Sequence, residues 1–237
     1  MLNSVREGAK LMRIKAVIFD LDGTLASFNL DYKTLRALIK NYLVNKGVPA
    51  SVLSLNESIF EMLRKTDVWA ENAGQPAKVF EEAQRDALAI AEKYELEAAS
   101  RTNLLPGVLD TLKALRRMGL KVGLCTINSE KSVKCILERF GIASLFDVTI
   151  SRNQVKHVKP HPEHLEAALK VLGVSAAEAV VVGDSRIDVQ SAKKLRAIAV
   201  GLPTGVSAVE QLSSEGADYI IESMTDLPVL IEKLNKT

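Results

Sequence analysis

The stretch Phe19-Asp20-Leu21-Asp22-Gly23-Thr24 decides the fold of this chain. It follows Lys15-Ala16-Val17-Ile18, an apolar run that is typical of a buried strand. Side chains two residues apart on an extended strand share a face, so Asp20 and Asp22 can converge on one point. Two carboxylates at the end of a core strand repel each other unless a cation lies between them. The stretch therefore predicts a metal site, a phosphate-handling site or both; the alternative is an ordinary turn, since Asp-Gly is a common turn dipeptide.

The composition is that of a folded chain without the charge of a nucleic-acid-binding protein. Its 237 residues are enough for one large domain, or for one domain with an insertion. Hydrophobic residues make up 47% and charged residues 25%, which is ordinary for a globular protein. The net charge of +2 argues against nucleic acid or an anionic membrane as a partner. No apolar run reaches the ~18 residues of a membrane span.

Two further features bear on the compartment and on the start of the chain. Cys125 and Cys135 form neither a CxxC motif nor a disulfide framework, which fits a reducing, cytoplasmic compartment. Cys125 ends an apolar run, so we expect a small buried side chain there. Residues 1–11 lack the apolar core of a signal peptide. They are expected to be a frayed extension, or the true start is Met12.

From Pro106-Gly107 onward the pattern alternates between short apolar strands and amphipathic helices. The predicted strands are 121–125, 146–150, 179–182, 197–200 and 218–221. The predicted helices between them are 108–118, 130–140, 162–172 and 187–195, and a last helix closes the chain. This alternation favours a Rossmann-like α/β fold, a parallel sheet with helices on both faces, to which the first strand also belongs.

The segment between the first strand and this alternating region is predicted to be entirely helical. Apolar residues recur at helical spacing from Tyr32 to Leu43, and residues 76–99 are rich in strong helix formers. Ser54 and Glu57 have the spacing of a capping box, which predicts a helix that starts beside them. We therefore expect a core domain of residues 1–27 and 105–237 and an inserted helical domain of residues 28–104.

Four predicted strand ends carry polar side chains. In an open parallel sheet, ligands bind beyond the carboxyl ends of the strands. Carboxylates from two of these ends, with a backbone carbonyl and waters, suit Mg²⁺, the others offer donors to phosphoryl oxygens, and an Asp can attack phosphorus as a nucleophile. Taken singly, such residues could be helix caps or solvated side chains. The four sets are Asp20 with Asp22, Thr126 with Asn128, Lys159, and Asp184 with Asp188.

These motifs occur in a recognisable order, and the chain resembles the haloacid dehalogenase-like superfamily of phosphohydrolases. The motifs are Phe19 to Leu25, Thr126, Lys159 to Pro162, and Val182 to Asp188. The chain is most similar to phosphoglycolate phosphatase-type members, in which a helical cap domain is inserted where the helical segment lies here. The resemblance implies a Mg²⁺-dependent phosphatase that acts on a small phosphorylated metabolite through an aspartyl-phosphate.

The resemblance also implies a role for each site residue. Asp20 would be the nucleophile, and Asp22 would protonate the leaving oxygen and then activate water. Mg²⁺ would be bound by Asp20, Asp184 and the carbonyl of Asp22, with Asp188 in support. Lys159 would neutralise the nucleophile and the phosphate, and Thr126 would bind the phosphoryl group. The phosphate contact of Asn128 departs from the pattern, because this Asn stands one residue later than in many relatives.

Alternatives to a phosphatase remain open at this point. A phosphomutase of the β-phosphoglucomutase type shares the aspartyl chemistry, although such mutases more often have an apolar residue in place of Thr24. A catalytically silent interaction protein on the same fold is the non-enzyme alternative, and the intact acidic residues and Lys159 speak against it. The substrate and the choice between monomer and homodimer cannot be read from the sequence.

Three histidines near Lys159 raise the separate possibility of a zinc site, since His is a common metal ligand. They are His157, His161 and His164. Pro160 and Pro162 interrupt this stretch, so no regular helical face presents all three rings, and a metal role is not expected.

Overall fold

The structure is a computed structural model that describes residues 13–27 and 29–236, with the side chain of Ala77 left aside. The expectations for residues 1–11, for a start at Met12 and for residue 28 lie outside the described residues. Within them the chain forms six strands: β1 (Ala16–Phe19), β2 (Lys121–Cys125), β3 (Val148–Ile150), β4 (Ala179–Gly183), β5 (Ile198–Gly201) and β6 (Tyr219–Ile220).

The nine α-helices of the described chain alternate with these strands except in one segment. The helices α1 (Tyr32–Asn45), α2 (Ile59–Asn72) and α3 (Ala77–Arg101) follow one another after β1. The others are α4 (Val108–Arg117), α5 (Glu130–Arg139), α6 (Pro162–Leu172), α7 (Arg186–Leu195), α8 (Val209–Ser214) and α9 (Leu227–Leu234). None of the helices in the described part of the chain is both long enough and apolar enough to cross a membrane.

The six strands form one parallel sheet in the order β3-β2-β1-β4-β5-β6. The predicted α/β Rossmann-like fold is therefore confirmed. The first strand lies between β2 and β4, where Val17 pairs with Val122 on one side and Val180 on the other. Each residue of β1 is buried, because a central parallel strand is covered on both faces.

The core of the sheet follows from the alternation of side chains along the strands. On β1, Ala16 and Ile18 point to the face on which α6, α7 and α8 pack. Leu165 and Leu169 of α6 and Val189 of α7 belong to the same buried cluster. This packing buries one face of the sheet. The polar residues that follow the strands lie outside it, at the carboxyl edge of the sheet.

Two compact units make up the chain. The described part of the first contains the sheet and comprises residues 13–27, Asn103–Ile127 and 141–236. The second is helical and comprises residues 29–102 and Asn128–Phe140. Its core includes an alanine stripe on α3 (Ala83, Ala87 and Ala91), whose four-residue spacing puts small side chains on one face.

The second unit extends beyond the predicted insertion. It includes α5, because α3 binds the start of this helix: the Ser129 backbone N–H donates to Glu95 Oε2 at 3.0 Å.

The capping box predicted at Ser54 is wrong, since α2 begins at Ile59 and its cap is Ser58, whose hydroxyl accepts from the Glu61 N–H at 3.1 Å. Ser58 and Glu61 satisfy the same spacing, so spacing alone could not choose between the two serines.

Candidate active site

The ammonium group of Lys159 is the centre of a buried polar cluster at the carboxyl ends of the strands. Its Nζ donates to Asp20 Oδ1 at 2.7 Å, to Asp188 Oδ1 at 2.6 Å and to the Cys125 carbonyl at 2.7 Å. These bonds use all three hydrogens of the ammonium group. Because Cys125 ends β2 and Asp20 follows β1, one side chain links the ends of two neighbouring strands.

Asp20 and Asp22 lie in the turn that follows β1. The Asp20 backbone N–H extends the sheet by donating to the Val182 carbonyl at 2.9 Å, and its side chain is buried, whereas Asp22 is half-buried. The Gly23 N–H closes the turn by donating to the Ala26 carbonyl at 2.7 Å. Gly23 has a φ of 79°, which favours glycine, and a Cβ there would lie 2.6 Å from Asp184 Oδ2. The turn thus requires glycine on two counts.

Asp184 directly follows β4, and its carboxylate is held from two sides. Thr24 Oγ1 donates to Oδ1 at 3.4 Å, and the Val206 backbone N–H donates to Oδ2 at 2.7 Å. Val206 ends the β5 loop, which we define as residues 202–206. The Thr204 hydroxyl of this loop donates to the Gly23 carbonyl. The β5 loop therefore contacts both the turn after β1 and the carboxylate after β4.

Asp188 lies in the first turn of α7, and its two carboxylate oxygens have different partners. Oδ2 accepts from the backbone N–H of Ser185 at 3.2 Å and from the hydroxyl of the same residue. The carboxylate thereby caps Ser185, the residue before the helix, as one half of a capping box does, with Asp in the place of Glu. Oδ1 is then directed at Lys159, so the helix terminus orients the acid toward the cluster.

Burial changes the acidity of this cluster. It raises the pKa of Asp20 well above its usual value. The Lys159 ammonium lowers the same pKa, but by less. Burial and the neighbouring Asp188 charge raise the pKa of Asp184 to about 7. Burial opposes the charge of Lys159, but Asp188 and Asp20 outweigh it and hold the pKa of that ammonium above its usual value. The lysine therefore stays charged.

The donor set fits a divalent cation. Oxygens of Asp20, Asp184 and Asp188 lie within 4.8 Å of one another, and all three residues are buried. Three ionised carboxylates against one ammonium leave two negative charges in excess, which a divalent ion balances. Carboxylate oxygens are hard donors of the kind that Mg²⁺ prefers.

Two of the three predicted phosphate-binding residues, Thr126 and Asn128, follow β2, whereas the third, Lys159, lies between β3 and α6. Thr126 is buried, and its N–H extends the β2–β3 pairing by donating to the Ile150 carbonyl at 3.0 Å. The next carbonyl, that of Ile127, accepts from Nη1 of the buried Arg152 at 3.2 Å. Asn128 is buried as well but belongs to the second unit, where it precedes the α5 cap Ser129. Its predicted phosphate contact stays a prediction.

Several residues of the site were missed by sequence reasoning. They are Cys125 (through its carbonyl), Thr24, Arg152, Thr204, Gly205 and Val206. Cys125 was expected to be buried, and it is; burial raises the pKa of its thiol to about 12, so the sulfur stays protonated. The signal for the β5 loop was its position, because β5 ends at the same edge of the sheet as β1 and β4.

A buried lysine and acidic cluster at the carboxyl ends of a Rossmann-like sheet is the arrangement expected of a phosphohydrolase. A family model for haloacid dehalogenase-like hydrolases matches residues 14–196, and the chain belongs to that family. Together with phosphatase-named relatives, this membership makes the protein an enzyme of the phosphatase class.

Two relatives of similar sequence carry the names of different phosphatases. A phosphoglycolate phosphatase of Salmonella typhi is 33% identical over 233 residues, which cover 92% of each chain. Pyrophosphatase PpaX of Bacillus mycoides (strain KBAB4) is 28% identical over 227 residues, which cover 94% of this chain and all of that one. Among solved structures, a "predicted phosphoglycolate phosphatase" of Haemophilus somnus has the same fold, with a TM-score of 0.64 and 23% identity over 93% of this chain and 99% of that one.

Proposed function

We propose that the protein is a Mg²⁺-dependent phosphatase that hydrolyses a small phosphomonoester through an aspartyl-phosphate on Asp20. The observation that carries the proposal is the buried cluster in which Lys159 bonds both Asp20 and Asp188 beside Asp184. A buried excess of negative charge is costly to maintain for structure alone. The cluster is better explained by a cation that it binds, which can in turn bind a phosphate.

The proposed reaction has two steps. A carboxylate oxygen of Asp20 attacks phosphorus, the bond from phosphorus to the ester oxygen breaks, and Asp22 gives its proton to that leaving oxygen. Asp22, now ionised, takes a proton from a water, whose oxygen attacks the phosphorus of the aspartyl-phosphate. Inorganic phosphate leaves and the Asp20 carboxylate is restored. Asp22 is half-buried in the turn, in reach of solvent, which suits proton exchange.

The remaining residues hold the reactants in place. Lys159 fixes one oxygen of the nucleophile, and its charge offsets that of the incoming phosphate. Mg²⁺, bound by Asp20, Asp184 and the Asp22 carbonyl with support from Asp188, would supply further charge neutralisation of the phosphoryl group. Thr126, and in this proposal Asn128, would donate to phosphoryl oxygens. The helical unit is proposed to be the cap that selects the substrate.

The substrate class follows from the relatives only as a proposal. Phosphoglycolate, a phosphomonoester, is the first candidate, and pyrophosphate, a phosphoanhydride that the same attack on phosphorus would cleave, is the second, because the two relatives carry those names. The two free cysteines, Cys125 and Cys135, fit the proposed cytoplasmic location.

The test is phosphate release from a panel of phosphoglycolate, pyrophosphate, sugar phosphates and nucleotides, with Mg²⁺ or with EDTA. Release should require Mg²⁺ and be lost in Asp20→Asn, whereas Asp110→Asn, an exposed carboxylate in α4, serves as the matched control and should behave as wild type. Brief reaction followed by acid quench should trap phosphate on wild-type protein but not on Asp20→Asn. Isomerised sugar phosphate without phosphate release would instead identify a phosphomutase. Binding of these compounds without turnover would identify a silent interaction protein.

A further inference from the structure

A second cluster of metal-ligating side chains spans the connection between β3 and α6 and the first turn of α6, outside the acidic cluster. His157 Nδ1 is 2.6 Å from Glu163 Oε2, and His161 Nδ1 is 3.9 Å from the same oxygen. The ligand atoms of the three residues lie within 4.8 Å of one another. The centroids of the two imidazole rings are 4.6 Å apart, and the ring planes are tilted by 39°.

We propose that His157, His161 and Glu163 form a binding site for a transition-metal ion of the Zn²⁺ class, separate from the Mg²⁺ site. Two imidazoles and one carboxylate are a donor set that Zn²⁺ takes with a fourth position left to water. Imidazole nitrogen favours Zn²⁺, Ni²⁺ or Co²⁺ over Mg²⁺, whereas the acidic cluster offers oxygen alone. The proposal stands on these three side chains and is independent of the phosphatase proposal.

The separations between the ligand atoms are compatible with one bound ion. Ligand atoms around a tetrahedral Zn²⁺ lie about 3.3 Å apart, given metal–ligand distances of about 2.0–2.1 Å. The present separations, from 2.6 Å to at most 4.8 Å, bracket that value. Both imidazole side chains are 50% exposed, so they can rotate without disturbing the core.

The carboxylate is held in a way that suits a ligand. Glu163 Oε1 accepts from the Lys156 backbone N–H at 2.9 Å, which leaves Oε2 directed at His157. A hydrogen bond to the second oxygen of a carboxylate is the usual support of a metal ligand.

His164, the third histidine of this stretch, is an internal control. It is buried, with Nδ1 3.3 Å from the Lys159 backbone N–H and Nε2 3.3 Å from the Ile150 carbonyl. The three histidines therefore do not share a face, as the two prolines predicted. Glu163, which the histidine pattern of the sequence does not include, completes the cluster in place of His164.

The experiment is a Zn²⁺ titration of the full chain with excess Mg²⁺ present. NMR monitors the ring signals of labelled histidines at each addition. The chain has three histidines, so each signal can be assigned by its variant. The His157 and His161 signals should shift together at one equivalent, while the His164 signal stays in place. Co²⁺ in place of Zn²⁺ should add visible absorption bands that disappear when Zn²⁺ is added.

Four variants make the titration decisive. His157→Asn, His161→Asn and Glu163→Gln should each weaken Zn²⁺ binding by at least ~10-fold, the lower end of what losing even a partner of a ligand costs. Asn is a good helix cap, so His161→Asn preserves the bond from the Glu163 N–H that caps α6. Glu166→Gln, an exposed acid on the same helix, is the matched control and should bind as wild type.

The acidic cluster supplies the competing explanation. Asp184→Asn should leave the Zn²⁺ response of His157 and His161 unchanged. Circular dichroism of each metal-free variant checks that it is folded. The proposal is overturned if neither histidine signal responds to Zn²⁺, if binding survives all three ligand substitutions, or if Asp184→Asn removes it.

Discussion

The β5 loop offers the sharpest test of the proposed Mg²⁺ site, through the substitution Gly205→Ala. A Cβ on Gly205 would lie 1.9 Å from Asp184 Oδ2, 2.5 Å from Asp184 Cγ and 2.9 Å from the Cα of Gly23. The last contact is with backbone, which cannot rotate away. Either the Asp184 carboxylate or the β5 loop must therefore move by more than 1 Å, and the bond from the Val206 N–H to Oδ2 is broken.

Two separate magnitudes follow. Overpacking of this kind costs about 1–3 kcal/mol of unfolding free energy. Loss of the backbone bond that orients a metal-binding carboxylate should weaken Mg²⁺ affinity by roughly 10–100-fold. Urea unfolding without metal measures the first, and calorimetric titration with Mg²⁺ measures the second. Phosphate release as a function of Mg²⁺ concentration should show the same shift in affinity.

Gly119→Ala is the matched control, because it separates general destabilisation from an effect on the site. Gly119 has a φ of 75°, so alanine there is strained by about 1–2 kcal/mol, yet a Cβ would meet no atom within 4 Å. This variant should lose stability and keep wild-type Mg²⁺ affinity. If Gly205→Ala also keeps wild-type Mg²⁺ affinity, then either Asp184 does not bind the ion or the β5 loop does not orient it, and the reasoning fails.

Four further outcomes are expected. Lys159→Met leaves the buried carboxylates without their ammonium partner and should lower the urea unfolding free energy by about 3–5 kcal/mol; an unchanged value would mean that the acids are neutral in the folded protein. Mg²⁺ at a hundredfold excess over its Kd should raise the unfolding free energy by about 2.7 kcal/mol, and Asp184→Asn should remove this gain. Burial lowers the pKa of His164 to about 3 against about 6.5 in an unfolded chain, so the unfolded state binds more protons between these pH values. Stability should therefore fall by up to about 1.4 kcal/mol per pH unit as the pH drops below 6.5, a slope that His164→Asn should reduce. In the helical unit, Met62→Ala removes a fully buried side chain and should cost about 2–5 kcal/mol in the unfolding transition of that unit, a loss that calorimetry would register.

The sheet could be predicted because its strands are short apolar runs separated by clear helical patterns. The predicted strand 121–125 and helix 162–172 match β2 and α6, whereas 146–150 shortens to β3, Val148–Ile150. The difference lies at the start of that strand, where a short 3-10 helix, Ala143–Leu145, comes first. Hydrophobicity alone does not distinguish such a turn from the first residues of an edge strand.

The division into two units could be predicted only in part. The helical pattern of residues 28–104 marks the insertion, but nothing in α5 itself indicates that it packs with α3. That association depends on partners distant in sequence: Ser129 with Glu95, and Arg139 Nη1 with the Ala99 carbonyl at 3.0 Å. Taken singly, none of these residues indicates the contact. Only the three-dimensional structure shows that these residues are in contact.

The candidate site shows the same limit at the level of chemistry. The predicted side chains of the site carry carboxylate or ammonium groups, which the amino-acid sequence shows directly. They are Asp20, Lys159, Asp184 and Asp188. To the Asp184 carboxylate, the β5 loop contributes a backbone N–H from Val206 and the absence of a Cβ at Gly205. Neither is a property of a residue type with known chemistry, since every residue except proline has an N–H and glycine is common in loops. The position of β5 beside β4 was nevertheless predictable in principle, because the loop after a neighbouring parallel strand emerges at the same edge. A search for sites in this fold should therefore include the loop after every strand that borders an acidic strand end, whatever its residues are.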